Sequence, residues 1–405
     1  MMQLIKMAYR DLGRNRRRTF FSALALGIGL ALLLWMAAFI QGEVDGASAS
    51  AIKLESGHLQ VRAASYDESK TSLAFQDLIA GPAALASKIA AIPQVAVATP
   101  RLFASGIVSS GDQSLGVRVI GIDPASPADD PYRNGLVSGT FLTADDSSGI
   151  LIGKTLADKV GVQAGGSIVL DVNDSNGNVA EQTFTVRGVF DSGVATYDQV
   201  TVLLPLAKAQ AFTQAGDHAS AIYILLHNQT DAPAVAASIQ SSQYKILTFA
   251  DMNSLLVSFE DLANSFMWVL YLIVLAITAS VIVNTLVMSV FERTREIGIL
   301  AAIGMRGGSI MSMFFIESVL LAIGGILYGL VIGGLLVWYT SVYGFAIPNF
   351  GISGFDVNNV IYAHLTLKDT ITLTLMALAV TLAAAYYPAR LAAGMEPVEA
   401  LKGAQ

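Results

Sequence analysis

Four apolar runs govern what this chain can become: residues 20 to 40, about 265 to 290, about 311 to 340 and about 370 to 388. Crossing ~30 Å of hydrocarbon takes roughly 20 helical residues, and each run is long enough. An open strand in lipid would leave its backbone groups unpaired, so all four read as helices. Composition agrees, since 54% hydrophobic residues, 14% charged residues and a mean hydropathy of +0.58 are too apolar for a soluble protein of 405 residues.

Orientation follows from Lys6, Arg10, Arg14, Arg16, Arg17 and Arg18, which precede the first run with Asp11 as the only acid among them. Basic flanks stay in the cytoplasm. The reading therefore divides the chain into a basic cytoplasmic N-terminus (1 to 19), a first transmembrane helix (20 to 46) and an extracytoplasmic α/β domain with stalk helices (47 to 262). A second transmembrane helix (263 to 290), a short charged cytoplasmic helix (291 to 308) and a third transmembrane helix (309 to 342) follow. An extracytoplasmic loop (343 to 367), a fourth transmembrane helix (368 to 389) and a cytoplasmic tail (390 to 405) complete it. Ala47-Ser48-Ala49 resembles a signal-peptide cleavage site, but the preceding apolar run exceeds a signal h-region of roughly 7 to 15 residues.

The net charge of −7 is unevenly spread, with most of the 31 acids in the exterior segment, which argues against nucleic-acid binding. With no cysteine, the chain has neither disulfides nor a thiolate metal site. In the exterior segment, β-like runs at Gly57 to Arg62, Val95 to Val108 and Val117 to Ile122 surround a helical stretch from Pro82 to Ile92. The pattern returns as a strand at Ala221 to Leu226, a helix at Ala232 to Gln240 and a strand at Tyr244 to Phe249, which predicts paired βαβ-like halves. Between them, about 134 to 216 reads as an inserted β-rich subdomain, with runs at Ile168 to Val172, Phe184 to Val189 and Gln199 to Leu204 and a hairpin turn at Asp174 to Gly177. Ala47 to Glu55 and Asp251 to Leu262 are helix-compatible and continuous with the first two crossings, with Asp251 placed to cap the second. Together they would form a two-helix stalk suited to transmitting movement.

Gly325, Gly329 and Gly333 recur every four residues in the third crossing, with Gly324 and Gly334 beside them, so one helical face offers close approach to another helix of this chain or of a second copy. Glu317 lies two turns into this crossing, within reach of the interface or of a basic residue such as Arg293; it reads as structural. Enzyme motifs do not survive inspection. Gly149-Ile-Leu-Ile-Gly153-Lys154-Thr155 is one residue short of a phosphate-binding loop, and His58, His218, His227 and His364 lack ligand spacing. No nucleophile, metal site or nucleotide site is expected, so energy must come from a partner.

Glu292-Arg-Thr-Arg-Glu-Ile-Gly298, Ala302-Ile-Gly304, and Tyr387-Pro-Ala-Arg-Leu-Ala-Ala393 followed by Glu396-Pro-Val-Glu-Ala-Leu401 resemble the MacB, FtsX and LolC/LolE permease family of ABC transporters. Gly57-His-Leu-Gln-Val61 and Ile152-Gly-Lys-Thr-Leu-Ala-Asp-Lys-Val-Gly161 look most like its lipoprotein-releasing members. The resemblance implies an α-helical membrane protein with four transmembrane helices and a MacB-like periplasmic core of two subdomains between helices 1 and 2. It implies no directly bound cofactor, with ATP and Mg used by a cytoplasmic ATPase dimer. It also implies a second permease subunit, identical or not, and lipoprotein cargo or an extracytoplasmic carrier protein beside the membrane lipid.

Residues 292 to 304 would then be the coupling helix. Ile297, Leu300, Ala301 and Ile303 would seat in a groove of the ATPase, while Glu292, Arg293, Arg295 and Glu296 set register. Gly298 lies between these groups, Gly304 is placed to end the helix, and Gly307 and Gly308 to turn the chain into the third crossing. MacB proteins carry their ATPase on the same chain, whereas nineteen residues precede the membrane here, so the ATPase is expected in trans. FtsX proteins, which regulate exterior enzymes, have a smaller exterior domain. Lipoprotein release or MacB-like efflux of peptides or small molecules leads, with an FtsX-like regulator as the alternative.

Overall fold

The computed structural model describes residues 16–67, 73–346 and 360–395. The expectations placed on Lys6, Arg10 and Arg14, on Glu396 to Leu401 and on most of the loop from 343 to 367 fall outside them. The chain divides into two compact units, one of Met1–Asp45, Phe259–Ile347 and Val360–Gln405, the other of Gly46–Ser258 and Pro348–Asn359.

The first unit is helical. Among the described residues, four helices are long and apolar enough to cross a membrane. They run Arg16–Ala51, Ser254–Glu292, Gly307–Tyr343 and Leu367–Ala393, each longer than the apolar run that predicted it. Leu30, Leu33 and Leu34 of the first, Leu275, Ile282 and Leu286 of the second, Leu321 and Ala322 of the third, and Leu373, Ala377 and Ala385 of the fourth share one buried cluster. Large apolar side chains such as Phe266, Ile273, Leu327 and Leu375 stay exposed, as a lipid-facing surface requires.

The second unit is α/β. Its main sheet is built from β1 (Leu59–Ala63), β3 (Val95–Ser110), β4 (Gln113–Ile122), β5 (Leu136–Gly139), β6 (Gly149–Gly153), β7 (Ser167–Asn173), β8 (Val179–Phe190), β9 (Thr201–Pro205), β11 (Ala221–Leu226) and β12 (Tyr244–Thr248). The short strands β2 (Ile79–Ala80) and β10 (His218–Ala219) pair separately. At one end β12, β1, β11 and the first half of β3 lie side by side. Period-two alternation turns Leu59, Val61, Ile222 and Ile224 to one face, where they pack with Ile89 and Val235 of the helices Pro82–Ala90 and Ala232–Ile239. These are the two βαβ-like halves that the sequence predicts.

At the other end β3, β4, β9, β6, β8 and β7 pair in a closed ring around Val108, Val119, Ile152, Leu170, Phe184 and Val202. Closure leaves no open edge within the ring. The strands expected within about 134 to 216 do not close on themselves, because β4 and the distal half of β3 supply two members of the ring. The turn Asp174 to Gly177 joins β7 to β8, with Asp174 Oδ1 accepting the N–H groups of Asn176 and Asn178 and Gly177 at φ +84°.

The junctions differ from expectation. The first long helix ends at Ala51 and loosens into a wider turn, Ile52–Ser56, closed by Gly57 N–H on the Ile52 carbonyl. Gly57 sits at φ +68°, and an added Cβ would come within 2.8 Å of the Ile224 carbonyl oxygen. On the other side Asp251 is not the cap: Thr248 caps the short helix Phe249–Met252 and Asp251 completes its capping box. Asn253, at φ −121° and ψ 41°, separates that helix from the long one beginning at Ser254.

Candidate coupling interface

The second long helix stops at Glu292, Arg293 leaves helical geometry at φ −107° and ψ 13°, and a nine-residue helix, Thr294–Ala302, follows. Its end is a Schellman motif: Gly304 N–H donates to Ala301, Met305 N–H donates to Leu300, and Gly304 takes φ +94°. Arg306, extended at ψ 143°, makes the turn into the third long helix, which Gly307 opens. Gly307 is there for space, since an added Cβ would lie 2.9 Å from the Ala393 carbonyl oxygen; Gly308 faces open space.

One face of the short helix is committed inward. Ile297, 1% exposed, packs with Val290, Ile310, Met313, Phe314, Ala389 and Ala392, and Ala301 lies against the same cluster. The two sequence motifs that carry the resemblance, some ninety residues apart, thus meet in one apolar contact. Arg293 reaches into the helical unit, its Nη1 3.3 Å from Glu317 Oε2 with both side chains almost fully buried. Expectations are corrected here: Arg293, Ile297 and Gly298 are buried on the inward face and Ala301 packs against it, rather than forming an outward docking surface.

The outward face carries Glu292, Arg295, Glu296, Ile299, Ala302, Ile303 and Gly304, with Leu300 half-buried. Ile303 is 76% exposed and Ile299, one turn before it, 47%. The sequence reading missed Ile299. Spacing alone groups Ile297 with Ala301 and Ile299 with Ile303, each pair four apart, but does not say which pair turns inward.

The glycine face meets the first long helix of the same chain. A Cβ at Gly325 would lie 2.6 Å from Leu26 Cδ2, one at Gly329 2.8 Å from Leu30 Cβ, and one at Gly333 3.0 Å from Ala31 Cα. Contact is reciprocal, since a Cβ at Gly27 would lie 2.8 Å from Tyr328 Cβ. Gly334 has nothing within 4 Å.

Elsewhere, Gly149 to Gly153 is the fully buried strand β6, followed by the helix Lys154–Val160. Gly153 admits the backbone of Asp198, whose carbonyl oxygen would lie 2.1 Å from an added Cβ. The close packing accounts for the glycine spacing that imitates a phosphate-binding loop.

Residues 19–242 match the family profile of the MacB-like periplasmic core domain, and residues 268–397 that of the FtsX-like permease C-terminal. The chain is 27% identical over 270 residues to the lipoprotein-releasing system transmembrane protein LolC of Xylella fastidiosa, covering 62% of this chain and 64% of that one. It is 22% identical over 326 residues to LolC of Neisseria meningitidis, covering 76% and 78%. To the macrolide export ATP-binding/permease protein MacB of Hyphomonas neptunium it is 25% identical over 417 residues, covering 98% of this chain and 60% of that protein.

Proposed function

The chain belongs to the MacB, FtsX and LolC/LolE type of ABC transporter permease, and from that premise we propose that it couples a separate cytoplasmic ATPase to movement of its α/β domain. The observation that carries the proposal is the two-faced helix Thr294–Ala302. A helix whose inner face is fixed to the third and fourth long helices moves them when its outer face is pushed. Ile299 and Ile303 supply an apolar anchor of the size that seats in a groove, and Glu292, Arg295 and Glu296 flank it with charge that sets register. ATP and Mg are bound by that ATPase, a dimer, against which two permease subunits dock.

The N- and C-termini, and with them this helix, lie in the cytoplasm of an inner-membrane protein, and the α/β domain lies outside. Lipoprotein release is the favoured work because two of the relatives named above are LolC proteins; efflux in the MacB manner and regulation of an exterior enzyme are the alternatives.

The test is purification from native membranes in mild detergent, with wild type compared with Ile299→Asp/Ile303→Asp and with Glu292→Ala/Arg295→Ala. Wild type is expected to bring down a stoichiometric ATPase, and each double variant to bind it at least about tenfold more weakly, a loss of ~1.4 kcal/mol. Membrane insertion should be unchanged. Wild-type recovery of the ATPase by both variants would sink the assignment of this helix, and an ATPase absent from wild type would turn the reading toward a membrane receptor.

A further inference from the structure

The wide turn that ends the first long helix is held by a set of buried side chains that the coupling helix does not explain. A helix end leaves its last carbonyls without intrahelical donors. Here the five carbonyls from Ile52 to Ser56 are each met by a side chain of the α/β domain, that of Ile52 in addition to Gly57 N–H. Tyr223 Oη lies 2.5 Å from the Ile52 carbonyl oxygen and 2.9 Å from that of Lys53. The Leu54 carbonyl oxygen lies 2.8 Å from Tyr132 Oη, 3.1 Å from Tyr197 Oη and 3.2 Å from Arg101 Nη1. Gln60 Nε2 donates to Glu55 and Ser56.

Arg101 is the centre of this socket. It is fully buried, lies 3.7 Å over the Tyr223 ring and is bonded through Nη2 to Asp129 at 2.9 Å. A fixed cation at a helix C-terminus also complements the helix dipole. The Leu54 side chain completes the grip, plugging a cluster with Ile120, Leu142, Leu151, Phe190 and Leu203. Arg118 pairs with Glu55 at the rim.

Among the described residues, the opposite junction shows no such buried set: its side-chain bonds are the exposed capping box of Thr248 and Asp251 and the Asn253 amide on the Phe249 carbonyl. The helix Phe249–Met252 buries no side chain, Asn253 breaks the helical geometry, and the first buried side chain of the long helix that follows is Met267. Leu255 is 76% exposed.

We propose that Arg101, Tyr132, Tyr197 and Tyr223 are positioning residues that weld the α/β domain to the end of the first long helix, while Met252 to Ser254 is the pivot. The end of that helix from Gly46, the turn Ile52–Ser56 and the α/β domain then move as one body, and the second connection is the compliant one. The proposal takes from the functional reading only the source of the motion; the weld and the pivot are properties of this chain alone.

The absence of cysteine makes the test direct, because introduced cysteines carry the only spin labels. Full-length protein in lipid nanodiscs, without any ATPase, is labelled in three pairs, and distance distributions are measured by pulsed electron resonance. Gly46→Cys with Val179→Cys reports the weld, since Gly46 has no neighbour within 4 Å of an added Cβ and Val179 is 70% exposed. Ser258→Cys with Val179→Cys reports the pivot, and Val137→Cys with Val179→Cys reports the fold of the domain.

The weld pair is expected to be about half as wide as the pivot pair. Tyr132→Phe/Tyr197→Phe and Arg101→Met should broaden the weld pair towards the pivot width and leave the domain pair unchanged. Equal widths for the weld and pivot pairs in wild type would overturn the proposal, as would a weld pair that neither variant broadens. Should Arg101→Met disturb the domain pair, the conservative tyrosine variant and the wild-type comparison decide. With no ATPase in the sample, failure of the transporter reading leaves the result intact.

Discussion

Replacing Gly329 with alanine adds one methyl group at the closest approach of two long helices, and Gly334 in the same helix provides the control. The added Cβ at Gly329 would lie 2.8 Å from Leu30 Cβ, 2.9 Å from Leu30 Cδ2 and 3.0 Å from the Gly27 carbonyl oxygen. Comfortable carbon contacts are about 3.5–4.0 Å, so the helices must part by roughly an ångström or Leu30 must leave its rotamer. Overpacking of this kind costs about 1–3 kcal/mol. Against it stands the gain of about 0.5–1 kcal/mol from replacing a helical glycine, which applies to both positions and cancels in the comparison. Gly334→Ala, with no neighbour within 4 Å, should therefore be neutral to stabilising. Gly329→Ala should be less stable than Gly334→Ala by about 1–3 kcal/mol in reversible unfolding from mixed micelles. Gly27→Ala should behave like Gly329→Ala, and combining the two should cost less than the sum, because the first methyl already separates the helices. A Gly329→Ala protein as stable as Gly334→Ala would refute the packing argument, however the absolute values fall.

The buried Arg293–Glu317 pair makes a second prediction: Glu317→Leu leaves a cation without its carboxylate and should cost about 3–5 kcal/mol, while Arg293→Met/Glu317→Leu should recover most of that loss in the same unfolding assay. No recovery in the double variant would mean that the site needs the charges themselves. A third concerns pH. Burial pushes Asp198 up to about 6, although Ser192 N–H donates to its Oδ2 at 3.0 Å; burial likewise pushes Asp129 up to about 6 against the pull of Arg101. A carboxyl raised above its unfolded value of about 3.9 contributes stability that is full below that value and is lost as pH rises through about 6. Burial lowers His58 and acts in the opposite sense, so the readout is the difference between wild type and Asp198→Asn. That difference in thermal midpoint should favour wild type more at pH 4.5 than at pH 7, by an amount set by Asp198 alone. A difference independent of pH would show that Asp198 stays ionised.

Hydrophobic periodicity made the architecture readable. The crossings, the strand Ala221–Leu226 and the helices near 82 and 232 follow from local pattern; the ends of the strand and of the two short helices agree to within a few residues, while the first two crossings run about ten residues past their apolar runs at one end. Partners were another matter. The spacing of Gly325, Gly329 and Gly333 announces close approach but cannot name Leu26, Leu30 and Ala31 as the neighbours, because those lie some three hundred residues earlier. Orientation of the short helix failed for a related reason: Ile297 and Ile303 look alike until Phe314 and Ala389 claim one of them. The ring of strands was not foreseen in the β-rich stretch of about 134 to 216, because β3 is a single 16-residue strand serving two subdomains, a change of partner that leaves no mark on alternation. Arg101 did leave a mark, as the one charge inside the run from Val95 to Val108, yet only the fold brings Leu54 to it.

Mechanical continuity follows from these contacts taken in sequence. The short helix is tied to the third long helix by Ile297 on Phe314 and by Arg293 on Glu317, and the third meets the first where Gly325, Gly329 and Gly333 receive Leu26, Leu30 and Ala31. The first helix is unbroken from Arg16 to Ala51 and ends in the Arg101 socket. Helices packed this closely have little free volume between them in which a displacement could be absorbed. Within the helical unit, a displacement applied at Ile299 and Ile303 therefore meets close contacts as far as the first helix. The second long helix is set off from the helix Phe249–Met252 by Asn253, which leaves helical geometry at φ −121° and ψ 41°.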